Sequence, residues 1–315
     1  MKSSLRFIFP MIVILVFSAL AYTFALPANR AVRYPDTSYQ YLIGVSQANL
    51  TEPWRVTMNE DIRKAAERNP EVRLIFTDAA MDTQRQIKDI QMLLGYEIDL
   101  LIISPNDSIS LSPFISEVQK NTPTIVLDRN MAGSDPSMYI GPDNLRIGQL
   151  AGEYIVELLG DKGGNVIEIL GRAGSPSSQQ RSEGFHAVLE KFPQCRITAQ
   201  LTANWMQDQA EDRTKEYLII TQQPIDVIFA QNDSMAFGAS IAFDKLRVPR
   251  AGIVGVDGLQ GKNGGIELVR NKILSATITC PTGGAQAIEY ALLILRGEKE
   301  IPQSIILEPT LISSK

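Results

Sequence analysis

Several residue types that build catalytic and metal sites are scarce in this sequence. Among 315 residues there is one histidine, His186, and there are two cysteines, Cys195 and Cys280. A single histidine is too few for most metal sites and for most Ser/His or Cys/His catalytic arrangements. The two cysteines lie far apart and form no CxxC pair, so neither a zinc site nor a disulfide framework is indicated. We expect two buried free thiols, with a disulfide or a reactive thiol as the alternative.

Concentrated positive charge is missing as well. The chain has 30 basic and 35 acidic residues, a net charge of −5, and no block of Lys and Arg. A nucleic-acid partner is therefore not expected, because binding to a phosphate backbone requires clustered cations.

Two common enzyme motifs are incomplete. Gly261-Lys262 is followed by Asn263 and lacks the first glycine of a P-loop. Gly174-Ser175 lacks the second glycine of a nucleophile elbow. His186 lies within a helical pattern, where it is expected to be an ordinary helix residue. We predict that the protein is not an enzyme and has no catalytic residues, no cofactor and no metal site.

The longest apolar run stands at the N-terminus. Phe7 to Leu26 is almost wholly apolar, and about twenty residues at ~1.5 Å rise can cross a bilayer core of about 30 Å. Thr23-Phe24-Ala25 is a poor signal cleavage site. Residues 1–26 are therefore predicted to be an uncleaved single membrane span, with a removed signal segment as the alternative. The first option anchors an extracytoplasmic domain to the cell membrane, and the second makes it secreted or periplasmic.

Residues 27–40 are polar and lack apolar periodicity, as is typical of a linker. From Tyr41 onward, short apolar runs alternate with amphipathic stretches. In the first half we predict strands at 41–46, 72–77, 100–104 and 124–128, and helices at 54–68, 83–94 and 109–120. In the second half we predict strands at 165–170, 197–202, 227–230, 253–256 and 276–279, and helices at 177–191, 206–221, 233–246, 261–270 and 282–295. Strands that are apolar on both faces and separated by helices indicate parallel βαβ units.

The two halves of this pattern are similar to each other. Ile98-Asp99 leads through an apolar run to Asn106-Asp107-Ser108, and Ile225-Asp226 leads in the same way to Asn232-Asp233-Ser234. A duplicated α/β unit explains the similarity, and chance is the alternative. Ligands of open parallel sheets bind beyond the carboxyl ends of the strands, so two facing sheets form a cleft. The polar residues placed there are Ser46, Asp128, Arg129, Asn232 and Asp257.

These side chains suit a sugar, whose hydroxyls both donate and accept hydrogen bonds. Each buried hydroxyl needs a partner, and Asp, Arg and Asn supply acceptors and donors. Trp54 and Trp205, the only tryptophans, follow strands at loop-to-helix positions, where flat rings can cover the C–H faces of a sugar. The ordinary alternatives are core packing for the tryptophans, turn or helix capping for Asp128 and Asp257, and a solvated ion pair for Arg181.

From Tyr41 to the C-terminus the chain resembles the type I periplasmic sugar-binding proteins, above all the ribose-binding branch. The segments that carry the resemblance are Leu127-Asp128-Arg129, Ala173-Gly174-Ser175, Arg181-Ser182-Glu183-Gly184-Phe185, Phe229-Ala230-Gln231-Asn232-Asp233, Met235-Ala236 and Val254-Gly255-Val256-Asp257-Gly258. The resemblance implies an α/β fold of two doubly wound parallel-sheet lobes joined by a three-segment hinge. It places residues 41–142 plus 281–308 in the N-terminal lobe and residues 143–280 plus 309–315 in the C-terminal lobe.

The resemblance also implies how a monosaccharide is held. The sugar hydroxyls would be bound by Asp128, Arg129, Arg181, Asn232 and Asp257, and the ring would lie between Trp54 and Trp205. The chain departs from the ribose-binding pattern in several places. Glu52 replaces an Asn, Arg55 and Val256 replace aromatic residues, and Cys280 lies where a Gln normally reaches the sugar. We therefore expect a pentose such as D-xylose or ribose, with hexoses as further alternatives.

Sugar-binding proteins of this kind have membrane protein partners. A retained N-terminal helix and the lack of a lipoprotein cysteine favour a sensor that signals to a partner such as a histidine kinase. The alternative is the solute-binding component of a sugar ABC transporter, with a permease as its partner. A related repressor would need a helix-turn-helix ahead of the core, and the apolar stretch from Phe7 to Leu26 occupies that place.

Overall fold

The computed structural model describes residues 39–131, 133, 136–221 and 223–314. The predicted membrane span and nearly all of the predicted linker lie outside these residues. Within the described part, no helix combines the length and the apolar character needed to cross a membrane.

The first of two six-stranded sheets is wholly parallel, in the order β11-β5-β4-β3-β1-β2. Its strands are β1 (Tyr41–Gln47), β2 (Val72–Asp78), β3 (Leu100–Ser104), β4 (Thr124–Leu127), β5 (Met138–Pro142) and β11 (Ser304–Leu307). The helices between and beside them are α1 (Pro53–Glu67), α2 (Thr83–Gly95), α3 (Ser108–Val118) and α9 (Gly284–Leu295). Every residue of β3 is buried, as expected for a central strand covered by helices on both faces.

The second sheet repeats this order as β12-β10-β9-β8-β6-β7. Its strands are β6 (Gly164–Leu170), β7 (Cys195–Thr202), β8 (Val227–Ala230), β9 (Gly252–Asp257), β10 (Ala276–Thr279) and β12 (Leu311–Ser313), and only β12 is antiparallel to its neighbour. Its helices are α4 (Asn144–Leu159), α5 (Pro176–Leu189), α6 (Gln207–Thr221), α7 (Asp233–Leu246) and α8 (Gly265–Arg270). The matching strand orders confirm the predicted fold class of two doubly wound α/β lobes.

The chain passes between the sheets three times. It leaves the first sheet after Pro142 and enters α4 at Asn144, returns between Thr279 and α9, and crosses again between Leu307 and β12. Three adjacent connections form a hinge that lets two rigid lobes rotate against each other.

The predicted strands and helices match the structure closely, but three strands and one α-helix were not predicted from the sequence. These are β5, α4, β11 and β12. The helix α4 is important for the site because it packs tightly against α5. A Cβ atom on Gly148 of α4 would lie 2.0 Å from the carbonyl oxygen of Arg181, and one on Gly184 of α5 would lie 2.1 Å from that of Leu145. The two glycines therefore allow the close helix approach that places Arg181.

Candidate functional site

A cavity lies between the two lobes. Its lining residues come from both lobes and are mostly charged or aromatic. They are Glu52, Trp54, Arg55, Asp128, Arg129, Ser177, Arg181, Trp205, Asn232 and Asp257. Seven of the eight residues predicted from the sequence are thus brought together at one cavity.

The wall from the N-terminal lobe is built around Asp128, which directly follows β4. Its Oδ2 accepts a hydrogen bond of 2.9 Å from Nη2 of Arg55. Arg55 is buried and also donates to Oε1 of Gln47 at 3.0 Å and to Oγ of Ser104 at 2.6 Å. These bonds fix the carboxylate of Asp128 in place as a charged acceptor.

Arg129 forms the neighbouring part of this wall. Its Nη1 donates to the carbonyl oxygens of Asn106 at 2.8 Å and of Pro105 at 3.3 Å. Burial and the charge of Arg55 lower the pKa of Arg129 to about 10, so it remains a cation at neutral pH. Its Nε forms an ion pair with Oδ2 of Asp128 at 3.6 Å but has no hydrogen-bond partner within the described residues.

Arg181 of α5 is the main cation of the other wall. Its Nε donates to Oδ1 of Asn144 at 2.9 Å, Nη1 to the carbonyl oxygen of Gln231 at 2.5 Å, and Nη2 to Sγ of Cys280 at 3.1 Å. The residue is 5% exposed, so it is not the solvated ion pair that the sequence left open.

Asp257 ends β9 on the same side of the cavity. Burial is the main cause that raises its pKa well above the usual value, followed by the charge of Asp233, whereas Arg181 lowers it. Asp233 accepts from the backbone N–H of Gly258 at 2.9 Å and from Oγ1 of Thr277 at 2.7 Å. Asp233 thereby holds the loop that follows Asp257.

The two tryptophans contribute from opposite lobes and are both almost fully buried. Nε1 of Trp54 donates to the carbonyl oxygen of Cys280 at 2.7 Å. Nε1 of Trp205 is a buried donor for which the described residues provide no acceptor. An arginine lies over each ring, Arg55 at 5.9 Å from the centroid of Trp54 and Arg181 at 5.6 Å from that of Trp205.

Asn232 has a structural task in addition to lining the cavity. Its Oδ1 accepts from the N–H of Met235 at 2.8 Å and caps α7, and its Nδ2 donates to the carbonyl oxygen of Trp205 at 3.2 Å. Asn232 therefore places the loop that carries Trp205.

Ser46, which was also predicted as a site residue, is not among the residues that line this cavity. Side chains alternate between the faces of a strand, and β1 extends through Gln47. Ser46 faces α2, where its Oγ accepts from Nε2 of Gln86 at 3.3 Å. Gln47 faces α1 and contacts Arg55 instead.

Three lining residues were not predicted as site residues. Glu52 and Arg55 were noted only as departures from a family pattern, and Ser177 carried no signal beyond its place at the start of a helix. All three belong to loop-to-helix junctions, whose distance from the strand ends cannot be read from sequence spacing.

The described residues contain no cluster of three or more His, Cys, Asp or Glu that could hold a metal ion. Cys195 and Cys280 are buried free thiols, as predicted. The cavity offers charged acceptors, planar donors and aromatic rings at opposite walls, the arrangement that a polyhydroxylated ring with apolar faces requires.

Comparisons with known proteins agree with this geometry. Residues 43–299 match the model of a periplasmic binding protein domain. The chain is 30% identical over 288 residues to the ribose import binding protein of Escherichia coli (strain K12), which covers 90% of this chain and 92% of that protein. It is 28% identical over 268 residues to the ribose import binding protein of Bacillus subtilis (strain 168), covering 82% and 83%.

Solved structures give the same result. The fructose-binding periplasmic domain of a hybrid two-component system is 32% identical, with a TM-score of 0.81 and coverage of 87% of this chain and 91% of that chain. A myo-inositol binding protein from Caulobacter is 26% identical, with a TM-score of 0.79 and coverage of 87% and 94%.

Two sheets of equal strand order, a three-segment hinge and a cavity lined from both sides define a two-lobed solute-binding protein. The chain belongs to the periplasmic binding protein family, among its sugar-binding members. The described domain is extracytoplasmic in this family, and the protein is a solute-binding protein, not an enzyme.

Proposed function

We propose that the protein is a receptor for a pentose such as D-xylose or D-ribose and signals sugar binding to a membrane partner such as a histidine kinase. The observation that carries this proposal is the single cavity that joins Asp128 and Arg129 of one lobe to Arg181 and Asp257 of the other. A ligand that bonds to both sets stabilises the closed arrangement of the lobes.

The signalling role draws its support from the likeness to the fructose-binding domain of a hybrid two-component system. The second candidate is a solute-binding component of an ABC transporter, which the likeness to import binding proteins supports. A pull-down from native membranes separates the two, because a captured kinase supports signalling and a captured permease supports transport. The predicted N-terminal membrane span belongs to the first candidate and is proposed with it.

The ligand is tested by titrating the full chain with D-xylose, D-ribose, D-fructose, L-arabinose, D-glucose and myo-inositol. Intrinsic fluorescence reports directly on the site because both tryptophans line the cavity, and calorimetry confirms each hit. We expect saturable binding of one pentose. Binding of fructose alone would support a sugar receptor but contradict a pentose as its ligand. The absence of binding to every sugar in both assays would contradict the proposed ligand class.

The site assignment is tested by Asp257→Ala and Arg181→Ala. Each removes a polar partner of the ligand, so we expect an affinity at least about tenfold lower. Both variants should remain folded in thermal unfolding. Asp244→Ala is the control, because Asp244 pairs with Arg250 on the exposed side of α7, and its affinity should equal that of the wild type. Unchanged affinity in both cavity variants would refute the assignment.

A further inference from the structure

The hinge residue Cys280 bonds to three residues of the cavity wall without lining the cavity itself. Its N–H donates to the carbonyl oxygen of Asp257 at 3.1 Å, and its own carbonyl oxygen accepts from Nε1 of Trp54 at 2.7 Å. Its Sγ accepts from Nη2 of Arg181 at 3.1 Å. Every hydrogen-bonding group of this residue is therefore engaged by a residue predicted to touch the ligand.

These three partners are divided between the two lobes. Trp54 stands in the first turn of α1 in the N-terminal lobe, whereas Arg181 and Asp257 belong to the C-terminal lobe. Cys280 itself lies in the second crossing, directly after β10, so any rotation of the lobes changes the distances among its partners. Pro281 follows and restricts the backbone of Cys280 to extended conformations, which limits how far this residue can adjust.

The thiol is suited to this place because it is small and uncharged. It is 3% exposed, and burial raises the pKa of Cys280 to about 12. A neutral sulfur can accept from the guanidinium of Arg181 without bringing a negative charge into the cavity wall.

We propose that Cys280 is a positioning residue that couples the sugar cavity to the hinge, by holding Arg181 with its thiol and Trp54 and Asp257 with its backbone. The coupling rests on the proposed function for the identity of the ligand. A sugar that holds Arg181 and Trp54 in place also holds their bonds to Cys280, and so keeps the second crossing in its closed conformation. Loss of these bonds leaves the second crossing free to open.

The first test measures the affinity of the full chain for D-ribose, D-xylose and D-fructose. Cys280→Ala removes the acceptor for Arg181 but keeps both backbone bonds, so we expect an affinity roughly tenfold lower. Cys280→Ser keeps an acceptor and should stay within about threefold of the wild type. Cys195→Ala is the control, since Cys195 is a buried thiol at the start of β7 with no contact to the cavity, and it should bind as the wild type does.

The second test does not depend on the ligand. The alkylation rates of Cys280 and Cys195 by N-ethylmaleimide are followed by peptide mass spectrometry in the full chain without sugar. Trp54→Phe removes the indole donor and keeps an aromatic ring, and Arg181→Lys removes the planar fork. We expect both variants to raise the rate at Cys280 several-fold and to leave the rate at Cys195 unchanged.

The outcomes separate the coupling from the proposed function. Wild-type affinity in Cys280→Ala would overturn the coupling. Equal increases in the alkylation rates of Cys280 and Cys195 would also overturn it, because they indicate general opening of the fold. If the wild type binds none of the sugars tested for the proposed function, that function fails while the alkylation rates still decide the role of Cys280.

Discussion

Asp128 and Asp257 both have positive φ angles, which are uncommon for residues other than glycine. Their φ angles are +70° and +123°, each at the carboxyl end of a strand in a different lobe. Such conformations cost about 1–3 kcal/mol for a residue other than glycine and occur often at functional sites. Positive φ angles thus occur at equivalent points of both lobes, at two residues that line the cavity.

The residue Gly171 is predicted to control the placement of Trp205. A Cβ atom at this position would lie 2.1 Å from Cζ2 of the Trp205 ring, so Gly171→Ala must displace the ring from the cavity wall. We expect weaker sugar binding, a changed tryptophan emission spectrum and about 1–3 kcal/mol of destabilisation from overpacking. Titration and denaturant unfolding measure these effects.

The matched control is Gly95→Ala at the end of α2, where the added methyl group meets no atom within 4 Å. It should bind sugar as the wild type does. If Gly171→Ala changes the emission but binds with unchanged affinity, Trp205 does not contact the ligand.

At the scale of elements, the sequence was sufficient for the strands and helices whose apolar pattern is strong. The strand β3 and the helix α7 were predicted with the bounds that the structure shows. The helix α4 was missed because Gly148 and Gly152 interrupt its apolar face, although both serve the close contact with α5. The strand β5 contains Gly141 and Pro142, which propensity disfavours, and only pairing with β4 and β11 makes it a strand.

The site was predictable to the extent that it follows strand ends. Asp128 and Asp257 come directly from the rule for open parallel sheets. Arg55 could not be found in this way, because it reaches the cavity from the first turn of a helix through its bond to Asp128. Its role depends on a tertiary contact that has no periodicity in the sequence.

The helix α5 is fastened to its sheet by a polar cluster around the fully buried Glu168 of β6. Glu168 accepts from Nε2 of Gln231 at 3.0 Å and from Nε2 of Gln200 at 2.8 Å, and its Oε2 lies 2.9 Å from Nε2 of His186. The hydrogen bond to Glu168 is the main cause that raises the pKa of His186. The helix that carries Arg181 is therefore held in part by a titratable contact.

This contact predicts a pH-dependent stability that His186→Ala removes. Because the pKa of His186 is higher in the folded state, the protonated form stabilises the fold fully below the unfolded pKa of about 6.5, and this contribution is lost as pH rises through the folded value. The imidazole side chain is 37% exposed, so the effect should not exceed about 1 kcal/mol. Denaturant unfolding between about pH 5.5 and 8.5 measures it.

The difference in free energy of unfolding between wild type and His186→Ala should shrink as pH rises across this range. Gln180→Ala, an exposed position on the same helix, should follow the pH profile of the wild type. Parallel profiles for wild type and His186→Ala would show that the contact with Glu168 does not depend on protonation.

For the whole molecule, the question is what holds the two lobes together besides the ligand. Nη1 of Arg172, which follows β6, donates to Oδ1 of Asn106 in the other lobe at 3.1 Å. The carbonyl oxygen of Asn106 also accepts from Arg129 of the cavity wall. A contact between lobe edges is thus one residue away from the ligand site.

We expect Arg172→Ala to shift the equilibrium toward open lobes without removing any residue of the cavity lining. The apparent affinity for a ligand that binds the closed form falls in proportion to the loss of that form. Removing a single hydrogen bond of about 1 kcal/mol should lower this affinity roughly fivefold. Small-angle scattering of the full chain without sugar should give a larger radius of gyration than for the wild type, and saturating sugar should restore the compact value. Arg213→Ala is the control, because Arg213 pairs with Glu216 on the exposed face of α6, and it should change neither affinity nor radius.

Because Arg172 does not line the cavity, a lower affinity with an unchanged radius of gyration would mean that Arg172 acts on Asn106 and Arg129 locally and that closure rests on the ligand contacts alone.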